Sequence, residues 1–127
     1  MRLKRFWWAV GVVLVAVALV VCLLPVRQLP QSFSLNDKLS HMLGHAALAV
    51  YFAGLVPRSS WWKIFIFLLF FGVVVELAQY HLPLGRQGEV LDLVANASGA
   101  VLGLLLGRLG LARWPELADK WLGRAVP

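Results

Sequence analysis

The chain has 127 residues, of which 61% are hydrophobic and 14% charged. A soluble domain runs nearer ~45–50% apolar and ~25% charged, and a single core of this size cannot hide so much apolar surface from water. A lone Cys22 excludes a disulfide-stapled secreted scaffold, and the abundance of Leu, Val and Phe excludes disorder. The net charge of +6 suits the anionic cytoplasmic leaflet of a membrane rather than nucleic acid.

A hydrocarbon core of ~30 Å needs ~20 helical residues, and four stretches approach this. Phe6–Leu24 is an uninterrupted apolar run behind Arg2, Lys4 and Arg5. It is longer than a signal peptide's apolar core and no A-x-A site follows it, so a retained helix is expected. Leu39–Val56 is apolar after its first turns. Trp61–Leu82 is apolar apart from Lys63 and a polar cluster near its end. Val90–Gly107 is rich in Gly and Ala.

Pro25 and Pro30 stop the first helix, because proline lacks an amide and clashes with the preceding turn. Ser34 or Asn36 can cap the second. Pro57 with Ser59 and Ser60 makes a short turn, and Pro83, Gly85 and Gly88 mark the third loop. Short loops make sequential helices antiparallel. The predicted fold is therefore all-α: one domain over 1–127, a four-transmembrane-helix antiparallel bundle.

With the N-terminus inside, nine of the 12 Lys and Arg fall inside and three, Arg27, Lys38 and Arg86, fall outside. The positive-inside rule thus predicts a multi-pass protein of the bacterial inner membrane, N-in and C-in. All six Trp fall on the same inner side, where amphipathic rings suit the headgroup level. Beyond the fourth span, Trp114, Leu117, Ala118, Trp121 and Leu122 recur at helical spacing. Glu116, Asp119 and Lys120 take the other face. This predicts an amphipathic helix over about 114–123 lying on the cytoplasmic leaflet.

Polar residues within the spans are clustered. Asp37, His41 and His45 form an i, i+4, i+8 stripe. Gly72, Glu76 and Gln79 share a face of the third span. Asp92, Asn96, Gly99, Gly103 and Gly107 share a face of the fourth. Counting ~1.5 Å per residue inward from the outer ends puts His45, Glu76 and Asn96 at one level. Asp37, His41, Arg86 and Asp92 then gather one layer above. Charged groups at such depth face a bundle interior or a wet cavity, so a polar pocket opening outward is expected.

Each residue also has a plainer role open to it. Glu76 protonated and bonded to Gln79 or Asn96 would be structural glue. Arg86 would either snorkel or pair with Asp92 or Glu76 at the pocket mouth. His41 and His45 with Glu76 or Asp92 form a weak zinc pattern, and no metal or other cofactor is expected. The glycine series Gly99, Gly103 and Gly107 lets backbones approach closely and places the fourth helix at the bundle centre. Cys22 is a small lipid-facing or packing residue, and Tyr80 and His81 belong to the interface belt.

The run Asp37-Lys38-x-x-His41, then Glu76-x-x-Gln79, Pro83, Arg86, and Asp92-x-x-x-Asn96-x-x-Gly99-x-x-x-Gly103, resembles the VanZ-like family of small bacterial membrane proteins. The likeness spans Asp37 to about Gly107. It implies the same topology, a cell-envelope role, and a connection with glycopeptide resistance of the teicoplanin type, but no reaction. The matching positions are Asp37, Lys38, His41, Glu76, Gln79, Arg86, Asp92 and Asn96. His45 stands where an aromatic is expected and Glu89 where a small or hydroxyl residue is, which makes this pocket more ionic than the family pattern.

The leading functional expectation is recognition of an envelope lipid headgroup or a lipid-linked wall precursor. Asp37, Lys38, His41, His45, Glu76, Gln79, Arg86, Asp92 and Asn96 would line the site. Lys38 and Arg86 would hold anionic groups, and Glu76, Gln79 and Asn96 would bond the deeper part. A rival is an intramembrane hydrolase or transferase, with Glu76 or Asp92 as general base and His41 or His45 as general acid or metal ligand. A third reading is a structural or chaperone-like subunit. Membrane lipids are the expected partners, and nucleic acid is not.

Overall fold

The computed structural model describes residues 3–22, 37–81 and 90–125. Among them the chain is helical, without strands. Helix α1 covers Lys4–Cys22, α2 Asp37–Ala53, α3 Trp61–His81, α4 Val90–Arg108 and α5 Trp114–Ala125. Two 3₁₀ turns, Arg58–Ser60 and Leu111–Arg113, lead into α3 and α5. The expected breaks and cap at Pro25, Pro30, Ser34, Asn36, Pro83, Gly85 and Gly88 lie outside the described residues, as does Glu89.

Among the described residues, two segments are long and apolar enough to cross a membrane alone, Lys4–Cys22 and Arg58–Ala78. The second expected span is shorter than its apolar run suggests, because α2 ends at Ala53. The Gly54 amide is shared between the Val50 and Tyr51 carbonyls at 3.3 Å each, and the Leu55 amide turns back to Phe52 at 3.0 Å. This tightens the last turn, and Pro57 has no amide with which to resume it. Its apolar part, Leu39–Ala53, rises only about 22 Å. α4 reaches span-like length and hydropathy jointly with the helix after it, across a bend of 70°. Its own run is diluted by Asp92, Asn96 and the glycines.

Helix α4 is central: its most extensive packing is against α2, and next against α3. A Cβ at Gly99 would strike the Met42 carbonyl. One at Gly103 would strike the Ala46 carbonyl and come within 2.6 Å of the Ala49 methyl. The paired residues advance together, so α2 and α4 run in the same direction, backbone against backbone. Trp61 at the start of α3 meets Ala53 and Gly107 at the ends of α2 and α4, while Gly72 meets Asn96. α3 therefore runs against both. The glycine series thus has the packing role that its spacing suggested, although its partner is α2 and not an adjacent helix in sequence.

The core is Leu48, Ala49, Ala53, Ile64, Leu68 and Ala100, with Val15 and Ala18 of α1 packed against its edge. α1 is otherwise peripheral. Gly11 is its buried residue, seated under the rings of Phe52 and Tyr51. Its outer face bears large apolar side chains such as Val12 and Val20, 67% and 60% exposed. Surface of this kind is at home against acyl chains and not water.

Aromatic side chains tie together the end formed by the α1 start and the α2 finish. Trp114 Nε1 donates to the Val50 and Tyr51 carbonyls at 3.2 and 3.1 Å, and Trp61 Nε1 donates to that of Ala53 at 3.2 Å. These bonds satisfy carbonyls that a helix end leaves open. The Tyr51 hydroxyl donates to the Trp7 carbonyl at 2.6 Å, and the Trp114 ring stacks on Tyr51 at 4.7 Å. Helix α5 forms where the periodicity placed it, over Trp114–Ala125. Trp114 at its first turn contacts the protein, while Leu117 and Trp121 face outward at 65% and 77% exposure. Pro115 is buried beneath Gly54.

The two kinds of glycine make opposite predictions. Gly103→Ala should cost about 1–3 kcal/mol through overpacking. A Cβ at Gly44 meets nothing within 4 Å, so Gly44→Ala should be neutral or stabilise by up to ~1 kcal/mol. Thermal melting of both variants in detergent checks the contrast.

Candidate functional site

Four polar side chains are buried among the described residues: His41, His45, Glu76 and Asn96, at 7%, 5%, 6% and 1% exposure. They come from three helices whose other buried side chains are apolar. The i, i+4 spacing puts both histidines on the inner face of α2. His41 Nδ1 donates to Asn96 Oδ1 on α4 at 3.2 Å. His45 Nδ1 donates to the His41 carbonyl, one turn back, at 3.1 Å. Both acceptors are oxygens without a proton, so each ring donates from Nδ1 in these bonds. Asn96 Nδ2 is buried and makes no hydrogen bond among the described residues, and the Leu68 backbone lies within reach of the buried His45 ring.

Gly72 makes room for the amide, since a Cβ there would lie 2.8 Å from Asn96 Nδ2. Glu76 follows one turn outward on the same face of α3. The His45 ring leans on Phe71, centroids 5.9 Å apart. The layering thus differs from the one obtained by counting inward. His41 shares a level with Asn96 instead of lying above it, and Asn96 sits against Gly72, a turn inside Glu76. Counting assumes that helices start at one height. The Gly99–Met42 contact instead sets the register of α4 on α2.

A cavity of about 210 Å³ opens beside the histidines. Its walls are Ala18, Val21 and Cys22 of α1, Ser40, Gly44 and Leu48 of α2, and Phe71 of α3. At ~30 Å³ per water molecule it has room for several waters or a small polar group. Glu76 and Asn96 do not line it. This opening therefore lies on the α1 side of the histidine stripe. Sequence reasoning missed the α1 wall and Gly44, although a glycine between two stripe histidines is the signal that could have found the opening.

The side chains of Asp37, Lys38, Gln79 and Asp92 lie outside the described residues, and so does Arg86. The expected layer of Asp37, Lys38, Arg86 and Asp92 around the site thus falls on positions of which nothing is said. His81 is exposed at the end of α3, and the Tyr80 side chain is outside the described set. No three His, Cys, Asp or Glu side chains come together as a metal ligand set among the described residues.

A family model described as VanZ/LLP1 matches residues 5–111. The chain belongs to the VanZ/LLP1 family. No curated protein and no solved structure matches it. With its membrane-span-like helices, the chain is a VanZ-like membrane protein.

In this VanZ-like protein the His41–Asn96 bond links the two helices of the largest interface, and its weight is measurable. Asn96→Leu, His41→Phe and the double variant form a thermodynamic cycle. Interhelical hydrogen bonds in membranes average about 0.6 kcal/mol and reach about 1.7. The coupling measured by unfolding in detergent should fall in that range and be favourable.

Proposed function

We propose that the protein crosses the bacterial inner membrane four times, N-in and C-in, and binds an envelope lipid headgroup or lipid-linked wall precursor at its outward end. The observation that carries this reading is the burial of four polar side chains together in an otherwise apolar bundle. Groups of this kind are costly in a membrane and are functional by default. They also lie away from the end that bears the tryptophans and most of the Lys and Arg.

The chemistry supports a ligand that both donates and accepts. Asn96 Nδ2 is an open donor among the described residues, and the two imidazoles beside it can donate or accept according to their protonation. The cavity beside them has apolar walls facing α1, which suits a molecule that keeps an alkyl portion in the bilayer. Lys38 and Arg86 at the adjoining loop ends would hold its anionic group, with Asp37, Gln79 and Asp92 completing the rim. Occupation of the site would change how teicoplanin-type antibiotics engage the envelope. The enzymatic reading, with Glu76 or Asp92 as base and His41 as acid, receives no added support from the described geometry.

Two measurements test the proposal. A polyprenyl phosphate should raise the melting temperature of the purified protein, and Arg86→Ala or Asn96→Leu should abolish the rise. An undiminished rise in both variants counts against the site. For topology, reporter fusions after Val56 and after Arg108 should read as cytoplasmic.

A further inference from the structure

A second, larger hollow lies at the opposite end of the molecule. It has a volume of about 500 Å³ and runs between α1, α2 and α3. Trp8, Val12 and Val15 form one wall, and Ile64 and Phe67 the other. From Trp8 to Val15 its length is about 10 Å. It opens sideways: Val12 on its rim is 67% exposed and Phe67 42%. In a chain whose α1 and α3 are long and apolar enough to cross a membrane, such an opening faces acyl chains.

One end of the groove is polar. Ser60 and Lys63 line it there, and no acidic side chain does. Lys63 Nζ also lies 5.7 Å from the centre of the Trp62 ring, and Arg58 sits over Trp61 at 5.6 Å. The polar mouth is thus cationic, is flanked by the amphipathic rings typical of headgroup depth, and opens onto a slot whose walls are mostly apolar side chains.

We infer that this groove is a binding site for one anionic phospholipid of the leaflet at the tryptophan-bearing end. An acyl chain lies between α1 and α3, and Lys63 with Ser60 holds the phosphate. Charge complementarity selects the headgroup. A zwitterionic lipid brings its own cation to the ammonium of Lys63, whereas an anionic one does not. Val15 and Ala18 pack on the core edge between this groove and the cavity beside the histidines, so the site is independent of the one proposed above.

Native mass spectrometry tests the inference. The protein is released from nanodiscs of equal phosphatidylglycerol and phosphatidylcholine. One phosphatidylglycerol should remain per chain, preferred by about fivefold or more, the effect of one lysine near a charged surface. Lys63→Gln should erase the preference, and Val12→Phe, at the exposed rim, should lower retention of both lipids. Asn96→Leu, which disables the proposed outer site, should leave retention unchanged. Equal retention of the two lipids by the unmodified protein overturns the inference and needs no variant to fold. So does an unchanged preference in Lys63→Gln that melts like the parent.

Discussion

The contact on which the rest of the structure depends is the meeting of two backbones at Gly99 and Gly103. In a bilayer no hydrophobic force draws helices together, since lipid tails are as apolar as leucine. Association rests on close packing and hydrogen bonds. The two glycines let the carbonyls of Met42 and Ala46 approach where any side chain would collide. That approach sets the register of α4 on α2. His41 immediately precedes Met42, and Asn96 lies one turn before Gly99, so the same register delivers the amide to the imidazole. The buried polar cluster is thus a geometric consequence of the glycine seam.

Much of this was legible in the residues. The apolar runs located the helices to within a few positions at the described ends. The glycine spacing marked α4 as the central helix, and the stripe spacing put His41 and His45 on a buried face. What escaped was whatever depends on where helices begin and which pairs touch. Apolar content alone extended the second span to Val56, because hydropathy does not register the tightened turn at Gly54. Counting residues inward misplaced His41, since it ignores axial offset between helices. Periodicity placed Trp114 on the apolar face of α5 but did not show that its indole N–H bonds carbonyls of α2. An aromatic ring with one polar atom serves a helix end as well as a lipid interface.

The two ends of the molecule are built on different physics. At one, stacked rings and indole donors close the α2 terminus and tie α1, α2 and α5 together through Trp7, Tyr51 and Trp114. At the other, the joint is a few hydrogen bonds among buried polar groups. α1 spans both, touching α2 closely at Gly11 and the core edge at Val15 and Ala18. A hollow lies on each side of those contacts. α1 is thus a wall of both hollows without being part of the α2–α4 seam.

The energetics bear on why polar groups sit in the seam. The His41–Asn96 bond is of a type worth about 0.6 kcal/mol on average in membranes. The register it accompanies is already specified by steric fit at two glycines, where even one added methyl would cost more than that. As an adhesive the bond is therefore close to redundant. Leaving a buried donor or acceptor without a partner costs about 1–3 kcal/mol, and Asn96 Nδ2 stands in that position among the described residues. An apolar seam would avoid the expense at no loss of register. Steric fit at the glycines thus accounts for the register without the polar groups, whose burial packing alone does not require.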